Sequence, residues 1–269
     1  MAASLLVLTD FRQPAHRALD YATNLATALA APLVVLHVRR TAAFDAERFT
    51  GRITPRSAEA TALALSSLTD QLTVPAVAEV QEGPVVEAVA KALAQHRPAL
   101  LVLGRPDNEV LPDELVSTTA LELLRAAPCP MVVVPPQSSL TLPRRVLVAL
   151  DAESFSLGGH ARFIQYFLAQ LPSQLTVLHV SPAPAAAGAA AAAEALKQAG
   201  ITGAAAPQLR PLVRPEVAAS IVEQAATGEF DLVVVVARPR TFLGRWFHRS
   251  VTAHVLLHSP VPVLVLPAE

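Results

Sequence analysis

Asp10 and Asp151 each close an apolar run near the start of one half of the chain, in SLLVLTDF and RRVLVALD. A carboxylate in the turn after a strand can accept the next backbone N–H groups, or it can meet a ligand at the strand end. Both readings stand for these two residues. The windows that follow a later strand in each half carry opposite charge. Window 237–250 holds Arg238, Arg240, Arg245 and Arg249 with His248 and no acid. Guanidinium groups grip phosphate oxygens bidentately. Ser250, followed closely by Thr252, would cap a helix and present its positive end to an anion. Window 104–117 instead holds Asp107, Glu109, Asp113 and Glu114 against Arg105 alone. Carboxylates beside a phosphate raise its energy, so the second half alone offers a place for an anion. The arginines can equally be a solvated loop, or pair with the acidic loop or with a second chain. Trp246 and Phe247 add a partner-binding option, although burial against a sheet is their commoner fate.

Other reactive side chains offer less. His254 and His258 stand four apart, a helical chelate spacing, but no third ligand is near them in sequence. His37 and His179 sit inside apolar runs and read as satisfied core histidines. Cys129 lies between two prolines with no histidine partner, which argues against a catalytic thiol. There is no Walker lysine loop, no nucleophile elbow and no paired-carboxylate arrangement. No catalytic residue and no metal site are therefore expected, and a hydrolase has no residue to serve as its base.

The elements that must position these residues are written twice. APLVVLHV ends at Val38 and SQLTVLHV at Val180; ALLVLG ends at Gly104 and DLVVVVA at Ala237; APCPMVVVPP matches SPVPVLVLP. The offsets agree: 151−10 is 141, 179−37 is 142, 250−117 is 133 and 267−135 is 132. Matched landmarks in one order indicate two copies of one domain, 1–138 and 143–269, with a turn-rich linker at Pro135–Pro143. Short continuous apolar strands alternating with helical stripes imply α/β domains with parallel sheets covered on both faces. In the first copy strands are expected near 4–8, 33–37, 77–81, 99–103 and 131–134. In the second they are expected near 146–150, 175–179, 209–213, 231–236 and 263–266. Residues 181–206 contain 14 alanines and read as a small-faced helix with loose ends.

Composition narrows the class. The chain has 269 residues, a formal net charge of −1, 52% hydrophobic residues and a mean hydropathy of +0.43. That balance gives no global field for nucleic acid or an anionic membrane. The apolar runs are far shorter than the ~20 residues of a spanning helix. One cysteine excludes an intramolecular disulfide and agrees with a reducing compartment. A cytoplasmic protein is the expectation.

VLTDF followed by PAHRALDYA, LHV after the second strand, and the closing SVTAHVLLHSPVPVLVLP resemble the universal stress protein family. The resemblance covers almost the whole chain, as a tandem pair. It implies two doubly wound five-stranded parallel sheets of order 3-2-1-4-5, an adenine nucleotide alpha hydrolase-like fold. Binding members hold ATP or related nucleotides at the carboxyl ends of strands 1 and 4, with the positions of Asp10 or Asp151 near the nucleoside and Val38 or Val180 near the base. Their glycine signature is Gly, two residues, Gly, nine residues, then Gly-Ser or Gly-Thr. Here only Gly104 survives in the first copy, ahead of Ser117 and Thr118, and Ala237 stands in its place in the second. Each window spans 13 positions to its serine (117−104 and 250−237), one short of the pattern.

The resemblance thus implies a non-catalytic stress-response binding or regulatory module, with the standard ATP loop lost in both copies. The alternative is ATP, AMP or anion binding at the second copy through Asp151, Val180, Arg238, Arg240, Arg249, Ser250 and Thr252. Asp10, Val38, Gly104, Ser117 and Thr118 form the degenerate counterpart. Family members commonly dimerise through their last strand, so strands 131–134 and 263–266 are expected to pair as an intramolecular pseudo-dimer. A further homodimer is also open.

Overall fold

The computed structural model describes residues 3–39, 58–106, 119–171, 173–183, 187–201, 206–238 and 251–269. The first half runs β1 (Leu5–Thr9), α1 (Gln13–Leu29), β2 (Leu33–Arg39), α2 (Ala58–Asp70), β3 (Ala76–Glu82), α3 (Val85–His96), β4 (Leu100–Gly104), α4 (Thr119–Ala126) and β5 (Met131–Val134). The second runs β6 (Arg145–Ala149), α5 (Ala161–Gln170), β7 (Gln174–Ser181), α6 (Gly188–Gln198), β8 (Gln208–Val213), α7 (Val217–Ala225), β9 (Leu232–Ala237), α8 (Val251–His258) and β10 (Val263–Pro267). A 3-10 turn, Gly158–His160, precedes α5.

All the described strands join one sheet, in the order β3-β2-β1-β4-β5-β10-β9-β6-β7-β8. Within each half the order is 3-2-1-4-5 and every pairing is parallel, as in Leu5↔Leu33 and Leu5↔Leu100. The halves meet where β5 pairs antiparallel with β10, with Val263↔Val133 and Leu264↔Val132 in register. Two parallel sheets therefore run together into one mixed sheet.

Alternation along each strand sorts its side chains into two layers. Leu5, Val7, Val132 and Leu264 face the layer of α1, α2, α5 and α6, while Leu6, Leu101, Val133 and Val265 face that of α3, α4, α7 and α8. Both cores run unbroken through the junction. The central strands are consequently apolar at nearly every position, the mark of a sheet covered on both faces. Helix α1 opens with Pro14, whose missing N–H is harmless in a first turn. It closes on Ala30 in the left-handed region, whose N–H returns to Ala26 and Thr27. In the alanine-rich helix α6, Ala192, Ala195 and Leu196 are buried.

Side chains fasten the two halves at helix ends and along the linker. Tyr166 of α5 donates its hydroxyl to the Leu29 carbonyl at the end of α1 (3.1 Å). Arg105, just past β4, donates to the Leu256 and Ser259 carbonyls at the end of α8 (3.2 and 2.7 Å). Each bond satisfies carbonyls that a helix terminus leaves without an internal partner. Arg17 and Asn24 of α1 donate to the linker carbonyls of Ser138 and Leu140. Asp231 then receives the backbone N–H groups of Arg144 and Arg145, both at 3.0 Å, where the linker enters β6.

Candidate functional site

The crevices at the carboxyl ends of β1/β4 and β6/β9 are where the strand order reverses, the usual ligand position in doubly wound sheets. The two crevices are built alike at first. Asp10 accepts the Arg12 N–H (2.9 Å) and Asp151 accepts the Glu153 N–H (3.2 Å), so both aspartates close the turn after their strand. The residue after each aspartate is left-handed, Phe11 at φ 61° and Ala152 at φ 64°. Neither has the glycine or asparagine that usually announces that conformation, and such a backbone costs about 1 kcal/mol or more. His37 and His179 then bond across from the second strand through Nδ1, to the Thr9 and Leu150 carbonyls (2.9 and 3.0 Å). His179 is buried and His37 half-buried against the Phe11 ring, so both histidines brace the turn rather than face a ligand.

From this common frame the two crevices diverge. In the first, the turn is short and α1 begins at once. Gly104 sits against the first turn of α1: a Cβ there would lie 2.2 Å from the Pro14 carbonyl oxygen. The one glycine retained from the phosphate signature is thus required by helix packing. Arg105 points away from the crevice, to the end of α8.

In the second crevice the arginine turns inward. Arg238 meets Asp151 through two parallel bonds, Nε to Oδ2 at 3.1 Å and Nη2 to Oδ1 at 2.8 Å. It also donates to the carbonyls of Glu153 (2.9 Å) and Ser154 (2.9 Å). The Arg238 side chain is 13% exposed and that of Asp151 50%. Fork-to-fork geometry of this kind is the strongest form an arginine–carboxylate pair takes. The longer loop 151–157 buries its own Phe155 and Leu157 in the core layer of α5 and α6. Its far side is held just past the last strand, where the Glu269 N–H bonds to the Ser156 carbonyl (3.0 Å), while the Ala268 N–H bonds to the Ala237 carbonyl at the end of β9 (2.9 Å). Gly158, at φ 48°, leaves room for the Glu269 carboxylate. Burial lowers the pKa of nearby His160, an effect that Glu269 partly offsets.

The sequence-derived site residues therefore fare unequally. Asp151 and Arg238 come together, but on each other. The arginines were expected to meet a phosphate, solvent, the acidic loop or a second chain, whereas Arg238 pairs with the aspartate of its own half. Val38 and Val180 pack toward the core layer of α3 and α7, and Thr252 is buried in the first turn of α8. Ser117, Thr118, Arg240, Arg249 and Ser250 lie outside the described residues, as do the acidic residues of the first window and Trp246 and Phe247. Ser154, Ser156 and Glu269 entered no sequence reading, because they act through backbone groups or by distant return of the chain.

Elsewhere, burial pushes the Cys129 thiol up to about 12, which keeps it protonated and inert. The His254 and His258 rings stand 4.5 Å apart on α8. Among the described residues, no three histidine, cysteine, aspartate or glutamate side chains gather as a metal site. No helix among them is long and apolar enough to cross a membrane.

The profile of the universal stress protein family matches residues 1–135 and again 143–267. A universal stress protein of Archaeoglobus fulgidus has a similar structure, with a TM-score of 0.72 at 17% identity, covering 99% of both chains. A Pseudomonas aeruginosa protein assigned to the same family matches at a TM-score of 0.66 and 16% identity, over 99% of this chain and 94% of its own. The cytoplasmic domain of a prokaryotic cation chloride cotransporter matches at 0.56 and 13% identity, over 98% and 95%. At these identities the likeness is one of fold. No curated protein sequence matches the chain.

Proposed function

The chain belongs to the universal stress protein family, and on that footing we propose that it is a non-catalytic binding or regulatory module built from two fused domains. The observation that carries this reading is the Asp151–Arg238 pair, with Arg238 bonded to Asp151 and to the Glu153 and Ser154 carbonyls. A guanidinium engaged in that way is committed to the protein rather than to a phosphate. Gly104 supports the same view from the other half, since its packing against Pro14 explains its presence without a nucleotide. The module requires no cofactor, and its β5–β10 pairing stands where a second subunit would otherwise bind. The lone buried Cys129 supports a reducing, cytoplasmic setting.

Thermal-shift titration of the full chain with ATP, ADP and AMP tests the reading. No shift is expected at millimolar nucleotide. Saturable stabilisation, about 2.7 kcal/mol at 100-fold over Kd for one site, would overturn it and restore binding through Arg240, Arg249 and Ser250.

A further inference from the structure

We propose that loop 151–160 is an autoinhibitory strap over the switch point of the second domain, pinned by Arg238 and released when an external oxyanion takes the place of Asp151 on that arginine. This proposal rests on the preceding reading and names the regulation of that same site. The strap is held from two sides. Arg238 reaches it from the end of β9, through Asp151 at the strap's start and the carbonyls of Glu153 and Ser154 along it. The segment just past the last strand reaches it through the Glu269 N–H on the Ser156 carbonyl and the Glu269 side chain against Gly158. Between these fastenings Phe155 and Leu157 are buried, so the closed strap also covers apolar surface.

The first domain shows that such a closure is not dictated by the fold. There the equivalent arginine, Arg105, leaves the crevice to bind α8, and the turn from β1 to α1 is short. Both copies carry the arginine, but among the described residues only Arg238 pins a loop beside its crevice. Arg238 is held by an anionic carboxylate in the position where a doubly wound sheet receives an anionic ligand. Asp151 thus acts as an internal stand-in for an oxyanion, and an external one must displace it. Removing the charge of Asp151, while keeping its size and its bond to the Glu153 N–H, hands Arg238 to a competing anion.

The experiment is calorimetric titration of inorganic pyrophosphate, and separately of ATP, into the full-length wild type, Asp151→Asn and Asp151→Asn/Arg238→Gln. Asp151→Asn is expected to bind both anions at least ~tenfold more tightly than wild type, and the double variant is expected to lose that gain. No gain in a folded Asp151→Asn overturns the strap, as does a gain that survives loss of Arg238 or one confined to ATP. Tight ATP binding by the wild type would instead defeat the reading under Proposed function. Hydrogen exchange supplies a second measure, independent of ligand. Arg238→Gln should speed exchange at the amides of residues 153–158 while leaving β6 and β9 unchanged; unaltered exchange there also overturns the proposal.

Discussion

Arg105 and Arg238 each follow the last residue of an equivalent strand, β4 or β9, and they donate in opposite directions. Arg105 crosses the domain boundary to the carbonyls of Leu256 and Ser259, whereas Arg238 stays at home on Asp151. One position of the duplicated domain thus serves as an interdomain clasp in one copy and as a loop pin in the other. Arg105→Ala strips two carbonyls at the end of α8 of a charged donor. A loss of about 1.5–3 kcal/mol is expected for hydrogen bonds to a charged group, read as a lower urea midpoint. Wild-type stability in Arg105→Ala would show that the clasp contributes nothing.

Gly104 is a packing glycine, so a methyl group is enough to test it. Its Cβ would fall 2.2 Å from the oxygen and 2.6 Å from the carbon of the Pro14 carbonyl, both backbone atoms. Gly104→Ala should cost about 1–3 kcal/mol, the usual penalty of overpacking. Ala237→Gly, the matching change in the second half, should cost much less. Equal effects from the two substitutions would contradict this account.

Tyr21 carries a hydroxyl that the fold does not use. The residue is 2% exposed and its oxygen has no hydrogen-bond partner among the described residues, while burial and then the Asp231 charge push its ionisation well up. A buried unsatisfied hydroxyl costs about 1–3 kcal/mol. Tyr21→Phe is therefore expected to leave thermal stability unchanged or raise it. A clear loss would reveal a bound water or other partner at that oxygen.

Stability should fall on acidification in two stages, each with the same sign. Burial lowers the His160 pKa from 6.5, with Glu269 opposing. The folded state thus disfavours protonation, and stability drops as pH falls from 6.5 toward the folded value. For Asp231, burial alone would raise the pKa, but the Arg145 side chain together with the N–H groups of Arg144 and Arg145 lowers it below 3.8. Its contribution is complete above 3.8 and vanishes as pH falls through the lowered value. Urea midpoints measured across this range should show both declines. His160→Gln should remove the first and Asp231→Asn the second, and a midpoint independent of pH would refute both.

The sheet was legible in the sequence because burial on two faces leaves few choices. MVVV and VLVLP can only be covered strands, and the repeat offset located their counterparts. Gly104 was legible as an exception, but its cause was not, since the Pro14 carbonyl that demands it lies ninety positions earlier. Asp151 reads in the sequence both as a turn-closing carboxylate and as a ligand contact, and the structure shows the turn. Arg238 reads there as a phosphate grip, a solvated side chain or a charge pair with the acidic loop or a second chain. Residue types and spacing gave each a charge to satisfy without saying that they satisfy each other. The left-handed Phe11 and Ala152 carried no local signal at all, because neither is the glycine or asparagine that usually marks such a turn.

The antiparallel junction of β5 with β10 has an evolutionary consequence. In a dimer of identical subunits every substitution lands on both sides of the twofold axis, so no interface residue can change alone. Once both sides are encoded in a single polypeptide, each position is inherited separately and the axis ceases to be a constraint. An arginine can then be kept as a clasp in one half and recruited as a latch in the other, without either job compromising its twin.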